Sequence, residues 1–296
     1  MNETVKRALS GTLYIVLLLA SILYSTESFL VLFGVFLVIT LYEFCNLIHV
    51  KKPFPLIFGL LIYTGIILLS NYRSESEAFL TETFQREFSL TFDLQTLNLV
   101  LLAITIVVAI KCILFLFYDS IQTVSISSKY LYLLGYIILP FIFITKISFG
   151  VKEYNPKIII GLFILIWTND TFAYIVGKSI GKHKLFERIS PKKTIEGFIG
   201  GIVFAIFAGF LISKFLIQAN PKFSQKSILI WCSIALIVGI MGTIGDLIES
   251  KFKRIAGVKD SGKIMPGHGG ILDRLDSVIF VAPFVFLFYQ ILYYVS

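Results

Sequence analysis

The stretch from Gly242 to Ser277 concentrates residues that can do chemistry in one connection between two apolar runs. It holds the carboxylates Asp246, Glu249, Asp260, Asp273 and Asp276, and the cations Lys251, Lys253, Arg254, Lys259, Lys263 and Arg274, with His268 set among glycines. Joining two apolar helices requires none of these. Carboxylates that can hold a divalent cation, beside lysines that can hold phosphate, point to nucleotide or phosphate-ester chemistry. At helical spacing Asp246, Glu249 or Ser250, and Lys253 share one face, with Leu247, Ile248 and Phe252 opposite. Asp273 and Asp276 stand three apart at the start of the last apolar run, where a helix N-terminus tolerates negative charge; they can point the same way and share a metal. Gly267, Gly269 and Gly270 let backbone approach a ligand closely. His268 can act as general acid, as phosphate donor or as a hydrogen-bonder that fixes the loop, and spacing does not choose among them.

Two earlier segments add to this set. Asn169 and Asp170 lie inside an apolar run, ~10 Å from Gly177 at the helical rise. A carboxylate at that depth is costly unless it faces a polar cavity or a cation, and neutral residues would make a plain interhelical contact more cheaply. Asp170, Tyr174 and Lys178 follow at four-residue steps and so line one helix face. Ser190-Pro191-Lys192-Lys193-Thr194 reads as a helix start, with Ser190 as N-cap and Pro191 at the first helical position. Its exposed N–H groups, with Lys192 and Lys193, would make a phosphate-binding terminus, and Glu196 could bond back to that turn. Lys182 and Lys184 are equally well explained by membrane topology alone. The motifs of P-loop ATPases, serine hydrolases with a nucleophile elbow, and zincins do not occur. What remains is metal-assisted phosphoryl or nucleotidyl transfer, which needs positioning and charge neutralisation more than a covalent nucleophile.

The elements that must position these groups are apolar helices. The chain has 296 residues, is 57% hydrophobic and only 15% charged, with a mean hydropathy of +0.88. Its apolar runs approach twenty residues, which excludes a soluble globular domain and gives an all-α polytopic integral membrane protein. About nine transmembrane helices are expected, near 8–25, 28–49, 55–71, 97–118, 129–149, 157–177, 197–217, 227–246 and 276–295, the third being short enough to be re-entrant. The first run follows Lys6 and Arg7 as a signal peptide would, but it lacks a small-residue cleavage site, so a retained helix is expected. With the N-terminus in the cytoplasm, most of the 26 lysines and arginines fall on the cytoplasmic side, and the rich loops Lys178–Lys193 and Lys251–Arg274 fall there together. That placement also accounts for the net charge of +8 without a nucleic-acid partner. Cys45, Cys112 and Cys232 lie in apolar runs without the spacing of a zinc site or disulfide framework. One membrane domain, 1–296, is the simplest organisation, with helices of scaffold character in 1–125 and a catalytic region in 157–280. The acidic loop Asn71–Gln95 carries no recognisable chemistry.

The run Ser250-x-x-Lys253-Arg254, Lys259-Asp260 and Pro266-x-His268-Gly269-Gly270-x-x-Asp273-Arg274-x-Asp276 resembles the signature of the phosphatidate cytidylyltransferases (CDP-diacylglycerol synthases). Trp167-x-Asn169-Asp170-Thr171-x-Ala173-Tyr174 and Ser190-Pro191-Lys192-Lys193-Thr194-x-Glu196-Gly197 also look like that family. The resemblance covers roughly residues 160–280. It implies transfer of the cytidylyl group of CTP to phosphatidate, giving CDP-diacylglycerol and pyrophosphate, with a magnesium requirement and room for a second cation. It further implies a homodimer with a polar cavity open to the cytoplasm and to the bilayer. The lysine-rich loops put the active site on the cytoplasmic side, and chain length points to a bacterial inner membrane. Carried onto this chain, the family's cation-binding carboxylates fall on Asp246 and Asp273, with Asp276 close by. Lys192, Lys193, Lys253, Arg254 and Arg274 become the residues that hold phosphates. Asn169 and Asp170 would position the metal shell or lipid headgroup, and Ser190, Thr194, Glu196, Ser250, Lys259, Asp260, Gly269 and Gly270 complete the expected substrate site. Two rivals differ in chemistry. A CTP-dependent polyprenol or phytol kinase would transfer the γ-phosphoryl group, and an ion-coupled transporter would use Asp170, Asp246 and Asp273 as an ion path.

Overall fold

A computed structural model describes residues 3–80, 94–117, 125–149, 154–217 and 224–295. Among them are nine helices: α1 Glu3–Tyr24, α2 Thr26–Leu47, α3 Pro53–Leu80, α4 Leu94–Phe117, α5 Ile126–Ile147, α6 Pro156–Ile180, α7 Ile195–Leu216, α8 Ser224–Ile255 and α9 Leu272–Val295. Eight are long and apolar enough to cross a membrane. The apolar part of α3, Pro53–Leu69, is shorter, in keeping with the short third run. Helix α3 continues to Leu80 where the acidic loop was expected to have begun, and residues 81–93 of that loop lie outside the described residues. The protein is therefore an all-α polytopic membrane protein.

Local sequence sets the helix starts. Ser25 caps α2 by accepting from Ser28 N at 3.1 Å, and the Ser28 hydroxyl accepts from Ser25 N in return. Asn155 caps α6 ahead of Pro156 at the first helical position. The helix start expected at Ser190 is corrected. Lys184–Phe186 (β1) and Ser190–Thr194 (β2) form an antiparallel hairpin in the register Lys184 with Thr194 and Phe186 with Ser190. Pro191 lacks an N–H and suits an edge strand. The cap falls four residues later, where Thr194 Oγ1 accepts from Gly197 N at 3.2 Å.

The bundle closes around α2, α5 and α9. Phe29, Phe33, Leu37 and Leu41 of α2 are fully buried, as are Leu272, Leu275, Ile279, Val281 and Ala282 of α9. Helices α6 and α7 approach closely because Gly177 faces Gly197; a Cβ on Gly197 would meet Gly177 Cα at 3.0 Å. Helix α8 runs unbroken past residue 246, carrying Asp246, Glu249 and Lys253 on its last turns. It ends at Gly257, whose φ of +70° and the Val258 N to Lys253 O bond of 2.9 Å close the terminus.

Candidate active site

Helix α8 places Asp246, Glu249, Ser250 and Lys253 along its inner side, and the first turn of α9 brings Asp273 and Asp276 against them. Carboxylate oxygens of Asp246, Glu249 and Asp276 all lie within 4.8 Å of one another. Glu249 is 1% exposed, and neither of its oxygens accepts a hydrogen bond of good geometry, although Lys253 Nζ sits directly against one of them. Asp246 pairs with Lys193 Nζ at 2.6 Å, reaching in from β2, and accepts from Ser250 Oγ at 3.2 Å. Three clustered oxygen donors of this kind fit a hard divalent cation such as magnesium.

Asp273 takes a different part. Its Oδ1 accepts from Lys253 Nζ at 2.7 Å. Its Oδ2 accepts from Ser261 N at 2.8 Å, Ser261 Oγ at 2.8 Å and Gly270 N at 2.7 Å. The carboxylate thus ties the connecting loop to the start of α9. Lys253 stands between it and Glu249, so in this arrangement the acids grouped with Asp246 are Glu249 and Asp276.

The glycines around His268 serve the protein's own side chains, Gly267 that of Arg7 and Gly269 and Gly270 those of Asp273 and Glu43. Gly267 and Gly269 have φ of +78° and +86°, a region side chains rarely adopt. A Cβ on Gly269 would strike Asp273 Oδ2, and one on Gly270 would strike the carboxylate of Glu43 and the Ser261 hydroxyl. His268 Nδ1 shares a hydrogen bond of 2.8 Å with Ser10 Oγ on α1, and Ser10 also donates to Pro266 O at 3.0 Å. Of the three open roles for His268, the geometry serves loop fixing. Partial burial, with the guanidinium groups of Arg274 and Arg7 nearby, lowers its imidazole from the ordinary value.

The other expected residues lie around this centre. Asn169 is 2% exposed, its Oδ1 has no hydrogen-bond partner, and its Nδ2 donates to Asp170 Oδ1 at 3.3 Å. Asp170 is open on the inner side of α6, within electrostatic range of Asp246 and Lys193. Lys192 and Arg274 are exposed, and Arg274 lies within electrostatic range of Asp170. Ser190 and Thr194 bound the strand β2. Glu196 accepts from His183 N at 3.2 Å and contacts His183 Nδ1 at 2.6 Å, so it anchors the start of the hairpin. Arg254 donates to Val258 O at 3.3 Å beyond α8, and Lys259 and Asp260 lie exposed on the turn that follows.

Two groups were missed. Glu43 of α2 is 1% exposed and bonds to the start of α9. Tyr136 sits on a π-helical turn of α5, Leu133–Ile138, its ring against Phe44, Phe252 and Phe280 and its hydroxyl buried without a partner. An ionisable residue in an apolar run is the signal that would have found Glu43. A π turn leaves no mark in periodicity that could have found Tyr136.

Comparison with known proteins is consistent across sources. A model of the cytidylyltransferase family matches residues 5–292. The phosphatidate cytidylyltransferase of Staphylococcus haemolyticus (strain JCSC1435) is 50% identical over 121 residues, 41% of this chain and 44% of that protein. That of Staphylococcus aureus (strain COL) is 50% identical over the same length. The Staphylococcus epidermidis protein (strain ATCC 12228) is 46% identical over 127 residues, 43% of this chain and 46% of that protein. The aligned part thus spans less than half the length of these curated relatives.

Proposed function

Because the chain belongs to the cytidylyltransferase family, we propose that it transfers the cytidylyl group of CTP to phosphatidate, forming CDP-diacylglycerol and pyrophosphate. The observation that carries this reading is the group of half-buried Asp246 and Asp276 with buried Glu249, against which Lys193 and Lys253 are set. The similarity to phosphatidate cytidylyltransferases supports the choice of lipid acceptor.

The chemistry asks for little beyond that group. Phosphatidate carries an ionised phosphate, so its oxygen can attack the α-phosphorus in line without a strong general base, and pyrophosphate leaves with the electron pair of the broken bond. Asp246, Glu249 and Asp276 would hold a divalent cation, which when bound neutralises charge on the triphosphate and the leaving pyrophosphate. Lys193 is placed to exchange its carboxylate partner for a phosphate oxygen, since its ion pair joins a half-buried strand residue to the group a cation would occupy. Lys253 stays with Glu249 and Asp273 and sets the charge of the group. Asp170 positions the headgroup from α6, and Asn169, buried against Gly201 and Gly239, holds the Asp170 carboxylate. The protein works as a homodimer in a bacterial inner membrane, with this site on the cytoplasmic side. Hairpin β1–β2, the loop after α8 and the N-terminal end of α1 meet at one end of the bundle, as that topology requires.

CTP labelled separately at the α- and γ-phosphorus tests the reaction on purified protein with phosphatidate and Mg²⁺. The α-label should enter a lipid that co-migrates with CDP-diacylglycerol, and EDTA should abolish it. Entry of the γ-label would make the protein a lipid kinase. Ion flux into vesicles with neither label entering lipid would make it a transporter.

A further inference from the structure

Glu43 is the one carboxylate of the N-terminal helices that reaches the candidate site among the described residues. It lies 1% exposed in the apolar run of α2, yet its carboxylate meets two backbone N–H groups and a hydroxyl. Oε2 accepts from Leu272 N at 2.8 Å and from Ser261 Oγ at 3.3 Å, and Oε1 accepts from Ile271 N at 3.2 Å. Two backbone N–H groups donate to it, and the single Ser261 hydroxyl proton is shared between this carboxylate and that of Asp273. The N–H groups at a helix start have no partner within the helix. Here Asp273 takes that of Gly270 while Glu43, from 228 residues away, takes those of Ile271 and Leu272.

The bonds form a chain. Ser261 stands between the two carboxylates, at 2.8 Å from Asp273 and 3.3 Å from Glu43. Asp273 bonds Lys253, which pairs with Glu249 of the acid group. Gly262 and Gly270 leave no room for a Cβ against Glu43, so the loop is shaped around that carboxylate. Burying a charge at this depth is costly, and a neutral cap from a nearby residue would hold a helix start for less. The turn it holds carries Asp273 and Asp276.

We propose that Glu43 is a positioning residue for the transfer reaction. It fixes the first turn of α9 and the loop before it, so that Asp276 meets Asp246 and Glu249 in one arrangement. This rests on the nucleotidyl-transfer reading for its kinetic effects, whereas its effect on cation binding does not.

The test uses the full chain in detergent and the variants Glu43→Gln and Ser261→Ala. Binding of Mn²⁺, followed by the loss of the free-ion electron paramagnetic resonance signal, is read beside kcat and KM for CTP. Glu43→Gln replaces a carboxylate that accepts on both oxygens with an amide whose NH2 faces a backbone N–H group of Ile271 or Leu272. It should weaken Mn²⁺ binding about 10- to 100-fold, the range of partners that orient metal ligands. It should lower kcat with KM for CTP changed by less than about threefold. Ser261→Ala keeps both backbone bonds to Glu43 and should shift both readouts in the same direction by a smaller factor. A Glu43→Gln protein that melts like the parent and keeps parental Mn²⁺ affinity and kcat overturns the proposal. If Glu43→Gln does not fold, parental Mn²⁺ affinity and kcat in Ser261→Ala overturn it instead. A parent that binds Mn²⁺ but transfers no label refutes the reaction, and the Mn²⁺ titrations still decide the role of Glu43.

Discussion

Replacing Lys253 with methionine removes the one ammonium that stands between Glu249 and Asp273. The two carboxylates do not suffer equally. Asp273 keeps three donors, from Ser261 N, Ser261 Oγ and Gly270 N. Glu249 is 1% exposed and accepts no other hydrogen bond, with Asp246 and Asp276 close by. Removing one partner of a buried ion pair costs about 3–5 kcal/mol, because the other charge is left uncompensated. At roughly 2–4 °C per kcal/mol for a chain of a few hundred residues, Lys253→Met should melt about 6–20 °C below the parent. Adding Glu249→Gln should return at least half of the loss, since the uncompensated charge is then gone. Adding Asp273→Asn should return little, because that carboxylate is held by other donors. Thermal melts of the parent, the single variants and both double variants in one detergent measure this. A Lys253→Met protein melting within about 2 °C of the parent, or rescue by Asp273→Asn and not Glu249→Gln, would refute the reasoning.

Four further outcomes follow from the same geometry. Asp276→Asn should raise the Mg²⁺ concentration for half-maximal transfer at least about tenfold while its melting temperature stays near the parent's, as a magnesium titration of activity will tell. Gly270→Ala sets a methyl group against Glu43 and Ser261, and should cost about 1–3 kcal/mol in denaturant unfolding. Thr194→Ala loses the cap of α7 and should cost about 1 kcal/mol by the same assay. The His268 imidazole is held low by burial and by Arg274 and Arg7, so its NMR titration midpoint should fall below the ordinary value of about 6.5. The sign for stability follows: with the folded value below the unfolded one, protonation opposes folding. The contribution of His268 is then constant above about pH 6.5 and declines as pH falls from there to the folded midpoint. His268→Asn should lack that decline.

Much of the site was legible because it is local. Asp246, Glu249 and Lys253 fall on one face at helical spacing, and Asp273 with Asp276 sits at a helix start, so α8 and α9 needed only to pack. The glycines were marked as points of close approach, although what approaches them is Arg7, Asp273 and Glu43. Two features could not be read this way. Ser190-Pro191 satisfies the rule for a helix start as well as Thr194 does, and the pairing of β2 with β1 decides between them; pairing is a property of two segments. Glu43 meets Leu272 across 229 residues, and no period within α2 says which distant helix it faces. Its presence in an apolar run was the visible part. Its partners were not.

The location of a bound cation tests the account most directly. A crystal structure of the protein soaked in Mn²⁺, with an anomalous difference map at the manganese edge, should show one peak within coordination distance of Asp246, Glu249 and Asp276, with Lys193 released from Asp246. A peak held by Asp246 and Asp273 with Lys253 displaced, or one away from Asp246 altogether, would contradict it.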